Sequence, residues 1–305
     1  SIAAQTTQNL PLFEEFTSST CGPCVGFNEV FTPFMDAHPD DIAVIKYQMS
    51  WPSPGDPYYT EEGGVRRFYY GVSGVPALIG GGLWAGASST GLNNSYAYES
   101  SRVAFFSMSS NFEIDGDNIE VEVGIMPYIS ANMRVHIVVI EKLTTENTGS
   151  NGETEFKHVM MKMLPDAEGT LVNFTNGVTS TLNESFDMSS TFVEEMSDLA
   201  VVVFIQDDST KIVMQAINST EGGIGVDETL LQSVSIYPNP SDGILNVTTD
   251  RKIDISIHDI LGKFVYSNSI ENSKTMDLSH LNSGVYIITV TDGKNQTSEK
   301  IFINK

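Results

Sequence analysis

The residues best equipped for chemistry are Cys21-Gly22-Pro23-Cys24, which hold both cysteines of this 305-residue chain. A pair at this spacing can close a disulfide, exchange one with a partner, or supply half of a zinc site. Zinc requires more ligands than the sequence offers nearby: there is no second cysteine pair, and His38, His136, His158, His258 and His280 are scattered. A strand-like run from Leu10 to Phe16 precedes the pair. After it, apolar residues recur at helical spacing at Phe27, Val30, Phe31, Phe34 and Met35. Cys21 is thereby expected at a helix N-terminus, where unpaired N–H groups and the helix dipole favour the thiolate and lower its pKa from about 8.5 toward 7. Cys21 is then the attacking sulfur, and the more shielded Cys24 resolves the mixed disulfide. A static disulfide remains the alternative.

The elements that must hold this pair follow along the chain. Pro33 is expected to kink the first helix. The β-branched run Ile42 to Ile45 reads as a buried strand, Trp51 to Pro57 as an inserted loop, Pro76 to Ile79 as a strand, and Gly91 to Phe106 as a closing helix. From 109 to 221 strands and turns take over: Asn118–Ile125, Met133–Glu141, Phe156–Met163, Leu199–Gln206 and Lys211–Ile217, the signature of an antiparallel sandwich. Gly222-Gly223-Ile224-Gly225 reads as a linker. A last set of short strands occupies Val234 to Lys305.

Composition narrows the function classes. The sequence is 40% apolar and 18% charged, which is that of a folded chain. Net charge is −23, which disfavours nucleic acid and anionic membrane surfaces as partners. No apolar run approaches the roughly 18 to 20 residues a membrane-spanning helix needs. Ser1-Ile2-Ala3-Ala4-Gln5 reads as the remnant of a small-residue cleavage region, consistent with export. Met160, Met161 and Met163 are assigned to a strand rather than a metal patch, and Asp115-Gly116-Asp117 to a hairpin turn rather than a calcium loop. No phosphate-binding loop or Ser/His/Asp order stands out.

With the Cys21-Gly22-Pro23-Cys24 motif between strand and helix, roughly the first hundred residues resemble the thioredoxin superfamily. Ser73-Gly74-Val75-Pro76-Ala77-Leu78 is similar to that superfamily's cis-proline loop, implying that Val75 and Pro76 present backbone to an extended polypeptide substrate. Glu15 matches the superfamily's buried strand carboxylate, a proton relay to the resolving cysteine, although alternation sends only one of Glu14 and Glu15 inward. Thr20 stands where that superfamily usually has Trp, and the Trp51–Pro57 insertion is a second departure. Glu14-Glu15-Phe16-Thr17 resembles the thioredoxin-like 28-kDa outer membrane protein family of Bacteroidetes, and the stretch from Asn151-Gly152-Glu153 through His158-Val159 to Lys162-Met163-Leu164-Pro165 looks like that family's middle-domain signature. Residues 233–305 are similar to the type IX secretion C-terminal sorting domain, on Tyr237-Pro238-Asn239-Pro240, Gly243 to Val247, Asp259-Ile260-Leu261-Gly262-Lys263 and Leu278 to Tyr286.

The expected fold class is α+β multidomain: a thioredoxin-like α/β domain (1–108), an antiparallel β-sandwich (109–221), a linker (222–232) and a small C-terminal β-sandwich (233–305). The expected function is a secreted or cell-surface thiol-disulfide oxidoreductase. It would act on polypeptide disulfides through catalytic Cys21, Cys24 and Glu15 and substrate-binding Val75 and Pro76, with no cofactor or metal. The alternative is a surface binding or adhesion protein with a structural disulfide. The type IX secretion machinery is the expected export partner, and the cell surface or the extracellular space, reached via the periplasm, the expected location.

Overall fold

A computed structural model describes residues 6–222, 234–249, 251–259, 264–291 and 296–305. Ser1–Gln5, most of the expected linker (223–232) and 260–263 of the Asp259–Lys263 motif lie outside them. In chain order the strands and helices of the first part are β1 (Thr7–Gln8), β2 (Leu12–Thr17), α1 (Gly22–Ala37), β3 (Ala43–Gln48), α2 (Glu61–Tyr70), β4 (Ala77–Gly80), β5 (Leu83–Trp84), α3 (Ser89–Ser101), β6 (Val103–Ala104), β7 (Phe106–Asp115), β8 (Asn118–Pro127), β9 (Ala131–Thr144), β10 (Phe156–Leu164), β11 (Thr170–Phe174), β12 (Ser180–Asp187), β13 (Leu199–Gln206), β14 (Val213–Asn218) and β15 (Thr220–Glu221). Two compact units result, Ser1–Glu221 and Gly222–Lys305.

The expected fold class does not hold. Three α-helices stand against twenty-two strands among the described residues, so the chain is mostly β. Nor do the strands after the cysteine motif form a closed α/β layer of their own. β10 pairs in parallel with β3 at Val159 and Lys46, and the result is one nine-stranded sheet ordered β14-β13-β9-β10-β3-β2-β4-β5, with β11 also on β9. The physical reason lies in β3 and β10. Each has a flank that accepts a neighbour, and periodicity along the chain does not say which strand from elsewhere will fill that flank.

The large sheet is buried on both faces. Along β9, Val135, Ile137 and Val139 point to one side, where they meet Ile119, Val121, Val123 and Ile125 of β8, from a second sheet ordered β12-β8-β7-β15. Val138 and Ile140 point to the other side and join Ile45, Tyr47, Met160 and Phe204, together with Tyr70 of α2. The period of two along a strand produces this split. At the β2–β4 end, Phe13, Val44 and Leu78 pack on Phe27, Phe31 and Met35 of α1 and Leu92 of α3. Helix α1 forms because its apolar residues fall every three to four positions; it is entered through Cys21 as N-cap with Pro23 in its first turn, and it carries Pro33 inside. Helix α2 is capped by Thr60, whose hydroxyl accepts from the Gly63 N–H at 3.1 Å, and it stops at Gly71, whose φ of 71° suits only glycine well.

The second unit contains β16 (Val234–Tyr237), β17 (Ile244–Thr249), β18 (Ile253–Asp259), β19 (Phe264–Ile270), β20 (Ser273–Asp277), β21 (Gly284–Thr291) and β22 (Gln296–Ile303). They pair as β16-β17-β20 and β19-β18-β21-β22. Leu245 and Val247 of the first sheet share a core with Ile255, Ile257, Ile288 and Val290 of the second.

Candidate functional site: the buried disulfide and its surroundings

Cys21 and Cys24 are joined by a disulfide. Cys21 caps α1, its sulfur accepting from the Cys24 N–H at 3.1 Å, so the motif's position at a helix start is set by local hydrogen bonding. Both residues are buried, at 1% and 0% exposure. The carbonyl oxygen of Val75 stands 3.6 Å from the Cys21 sulfur, and the Val75–Pro76 bond just before β4 is cis.

Three groups of residues cover the motif. From one side the inserted loop closes in: Thr20 donates to the Pro52 carbonyl at 2.7 Å, and the Asp56 carboxylate accepts from the N–H groups of Ser19 and Tyr58. Burial raises the Asp56 pKa against those hydrogen bonds, which act to lower it. The same insertion accounts for Thr20, whose short hydroxyl reaches a backbone carbonyl where a large ring would meet the loop. From the other side comes the segment between β9 and β10. Asn151 donates its backbone N–H to Ser19 O at 3.0 Å, and its amide to the carbonyls of Ser18 and Cys21. Gly149 lies so close that a Cβ there would collide with the Ser19 carbonyl.

Beneath the motif, Glu15 on β2 is fully buried and paired with Lys46 of β3 at 2.8 Å. Burial raises its pKa, an effect the Lys46 cation opposes. Lys46 also donates to Asn28 of α1 at 2.8 Å, and Asn28 donates to Glu153 at 2.8 Å, whose other oxygen accepts from Asn151. One polar chain thus runs from Glu15 to the segment covering Cys21. Glu14 faces the opposite side of β2 and is buried as well, at 1% exposure. Its carboxylate is held by Arg66 of α2 at 2.8 Å and by the hydroxyls of Tyr47 and Tyr70. Alternation does separate the two glutamates, but both faces of the sheet are covered, so both are inside.

Of the residues singled out in the sequence, the Val75 carbonyl lies beside Cys21 with Pro76 next in the chain, and Glu15 on β2 is linked to the motif through Lys46, Asn28, Glu153 and Asn151. Lys46, Asn28, Asn151 and Glu153 were missed. Only the Asn151-Gly152-Glu153 triplet drew attention, and nothing local to it points at Cys21. Among the described residues no cluster of three or more His, Cys, Asp or Glu could hold a metal ion.

Two further findings bear on identity. Residues 235–304 match the family model of the secretion system C-terminal sorting domain. Among solved structures, the chain is similar to HBP35 of Porphyromonas gingivalis, with a TM-score of 0.53 and 15% identity over 97% of this chain and 99% of that one. It is also similar to protein AGR_C_4864 from Agrobacterium tumefaciens, with a TM-score of 0.50 and 16% identity over 73% of this chain and 99% of that one. At these identities the likeness is one of fold. No curated protein matches the sequence. No described helix is long and apolar enough to cross a membrane. With its type IX sorting tail, the chain is a Bacteroidetes-type secreted protein that engages the secretion machinery and is exported to the cell surface or the extracellular space.

Proposed function

We propose that the first unit is a binding unit displayed outside the cell, with Cys21–Cys24 as a structural disulfide that locks the start of α1. The observation that carries this reading is the burial of both cysteines, at 1% and 0% exposure, with the Trp51–Pro57 loop bonded to the neighbouring Thr20 and Asn151 bonded to the Cys21 carbonyl. Attack on a disulfide requires a thiolate to approach along the S–S axis, and covered sulfurs deny that approach. Export supports the reading too, since structural disulfides persist in oxidising compartments. The test is exchange with a disulfide-bonded peptide after reduction of the protein. The expected result is turnover no greater than that of a Cys21→Ser variant.

A second reading is favoured by a specific observation, the Cys21 sulfur at the α1 N-cap with the Val75 carbonyl 3.6 Å away and a buried Glu15 of raised pKa on the adjoining strand. It is thiol-disulfide exchange on polypeptides. Cys21 attacks, Cys24 resolves, Glu15 moves the proton and the Val75-Pro76 backbone holds the substrate chain. In that case Cys21→Ser abolishes exchange and Cys24→Ser traps a mixed disulfide.

A further inference from the structure

Every lysine and arginine described in the first unit, apart from Arg67 and Lys211, is paired with a carboxylate. Those two exceptions converge on the C-terminal end of α2. Arg67 donates from Nε to the Val72 carbonyl at 3.0 Å, and Lys211 donates to the Tyr69 carbonyl. Cations suit the carbonyl end of a helix, which accounts for these two bonds. It does not account for the Nη groups of Arg67, which have no acceptor among the described residues and are not buried. Aromatic rings stand around them. The guanidinium carbon lies 4.2 Å from the centroid of the half-buried Trp51 ring and 4.8 Å from that of Phe68, which is 74% exposed. Trp84 of β5, 57% exposed, donates its indole N–H to the Tyr70 carbonyl at 3.3 Å. The Tyr70 and Val72 carbonyls are two residues apart, so the indole and Arg67 lie within about 15 Å, the reach of about five extended residues. β5 also ends the nine-stranded sheet, with no strand on its outer flank among the described residues. Ala85 donates back to Leu78, so alternation turns the Trp84 N–H and C=O toward that flank.

We propose that the C-terminal end of α2 and the edge of β5 form a docking surface for an extended polypeptide segment that carries an acidic residue beside aromatic ones. The partner's carboxylate takes the Nη edge of Arg67, where a planar guanidinium donates two parallel hydrogen bonds. Its main chain takes the outward Trp84 groups as an added strand would, and its rings pack on Phe68 and Trp84. Arginine and large aromatic residues are the side chains that dominate binding at protein interfaces. The carboxylates of neighbouring segments are engaged elsewhere. Glu62 is held by Lys162, Asp208 and Glu168 stand by Arg134, and Asp207 accepts from Ser209 and Thr210 within its own turn. Glu61 opens α2, about 9 Å along the axis from Arg67. The chain's net charge of −23 repels a long polyanion, so the partner is a segment with a single acidic residue rather than an acidic tract.

The surface names the partner class for the binding reading of the first unit and rests on it, but its failure is separable, because the disulfide is measured independently and stays oxidised here. The full chain is titrated into a fluorescently labelled, amide-capped peptide Gly-Phe-Glu-Phe-Gly and, separately, into the same peptide with Gln in place of Glu, read by anisotropy. The expected result is saturable binding of the acidic peptide and at least about tenfold weaker binding of the other, as the loss of a charge-assisted hydrogen bond implies. That comparison needs no variant. Arg67→Gln should abolish the difference between the two peptides. Phe68→Ser, at an exposed position whose change leaves the core intact, should weaken both several-fold. Unlabelled 3-phenylpropionate, an aromatic acid with no main chain, should compete at least about tenfold more weakly than the unlabelled acidic peptide, since main-chain pairing supplies part of the affinity. No binding of the acidic peptide at millimolar protein, equal affinity for the two peptides, an undiminished preference in Arg67→Gln, wild-type affinities in Phe68→Ser, or equal competition by 3-phenylpropionate would overturn the proposal.

Discussion

Replacing Arg66 with methionine isolates the polar network that fixes α2 on the sheet. Arg66 is 1% exposed and donates to Glu14 from Nε at 3.2 Å and from Nη2 at 2.8 Å; it also donates to Gln206 and to the Tyr70 hydroxyl. Methionine keeps most of the side chain's volume and strands the Glu14 carboxylate, which retains only the Tyr47 and Tyr70 hydroxyls. An uncompensated buried charge of this kind costs about 3–5 kcal/mol. Adding Glu14→Gln should recover a large share of it, giving a coupling energy of about 1–3 kcal/mol in a double-mutant cycle. Urea denaturation at pH 7 of wild type, both single variants and the double variant measures both. A loss below about 1 kcal/mol for Arg66→Met at pH 7, or strict additivity in the cycle, would refute the reasoning.

Other outcomes follow from the same structure. The disulfide closes a loop of only a few residues, so Cys21→Ala with Cys24→Ala should destabilise the first unit by about 2 kcal/mol by chain entropy, measured by urea denaturation under non-reducing conditions. Gly149→Ala should push the 145–153 segment off Ser19 and speed reduction of the disulfide by dithiothreitol several-fold, read by alkylation and mass. His158 is held at about 4 by burial and the nearby Lys46 charge, so below pH 6.5 the unfolded chain binds the proton that the folded chain refuses. Its contribution to stability is therefore complete above pH 6.5 and lost as pH falls toward 4. His158→Phe should flatten the dependence of the urea midpoint on pH across that window.

What the sequence revealed, and what it withheld, has a physical pattern. The helix after Cys21 was legible because Phe27, Phe31 and Met35 repeat at helical spacing, and they are buried residues of α1. Strands such as Leu199–Gln206 were legible as dense apolar runs. The strands Thr170–Phe174 and Ser180–Asp187 were not, because their mixed, half-exposed residues carry little apolar contrast. The shared nine-stranded sheet was hidden for a different reason, since pairing between Lys46 and Val159 leaves no local trace. Alternation along β2 separates Glu14 from Glu15, but the cover on both faces of the sheet, which buries both, is a tertiary fact.

Whether Cys21–Cys24 is a locked structural bond is decided most directly by the reduction potential of that pair. Equilibration of the full chain in a dithiol buffer series, followed by alkylation and mass measurement, should give a value below about −300 mV. A value between about −270 and −120 mV would contradict the locked bond and establish the pair as a working redox couple.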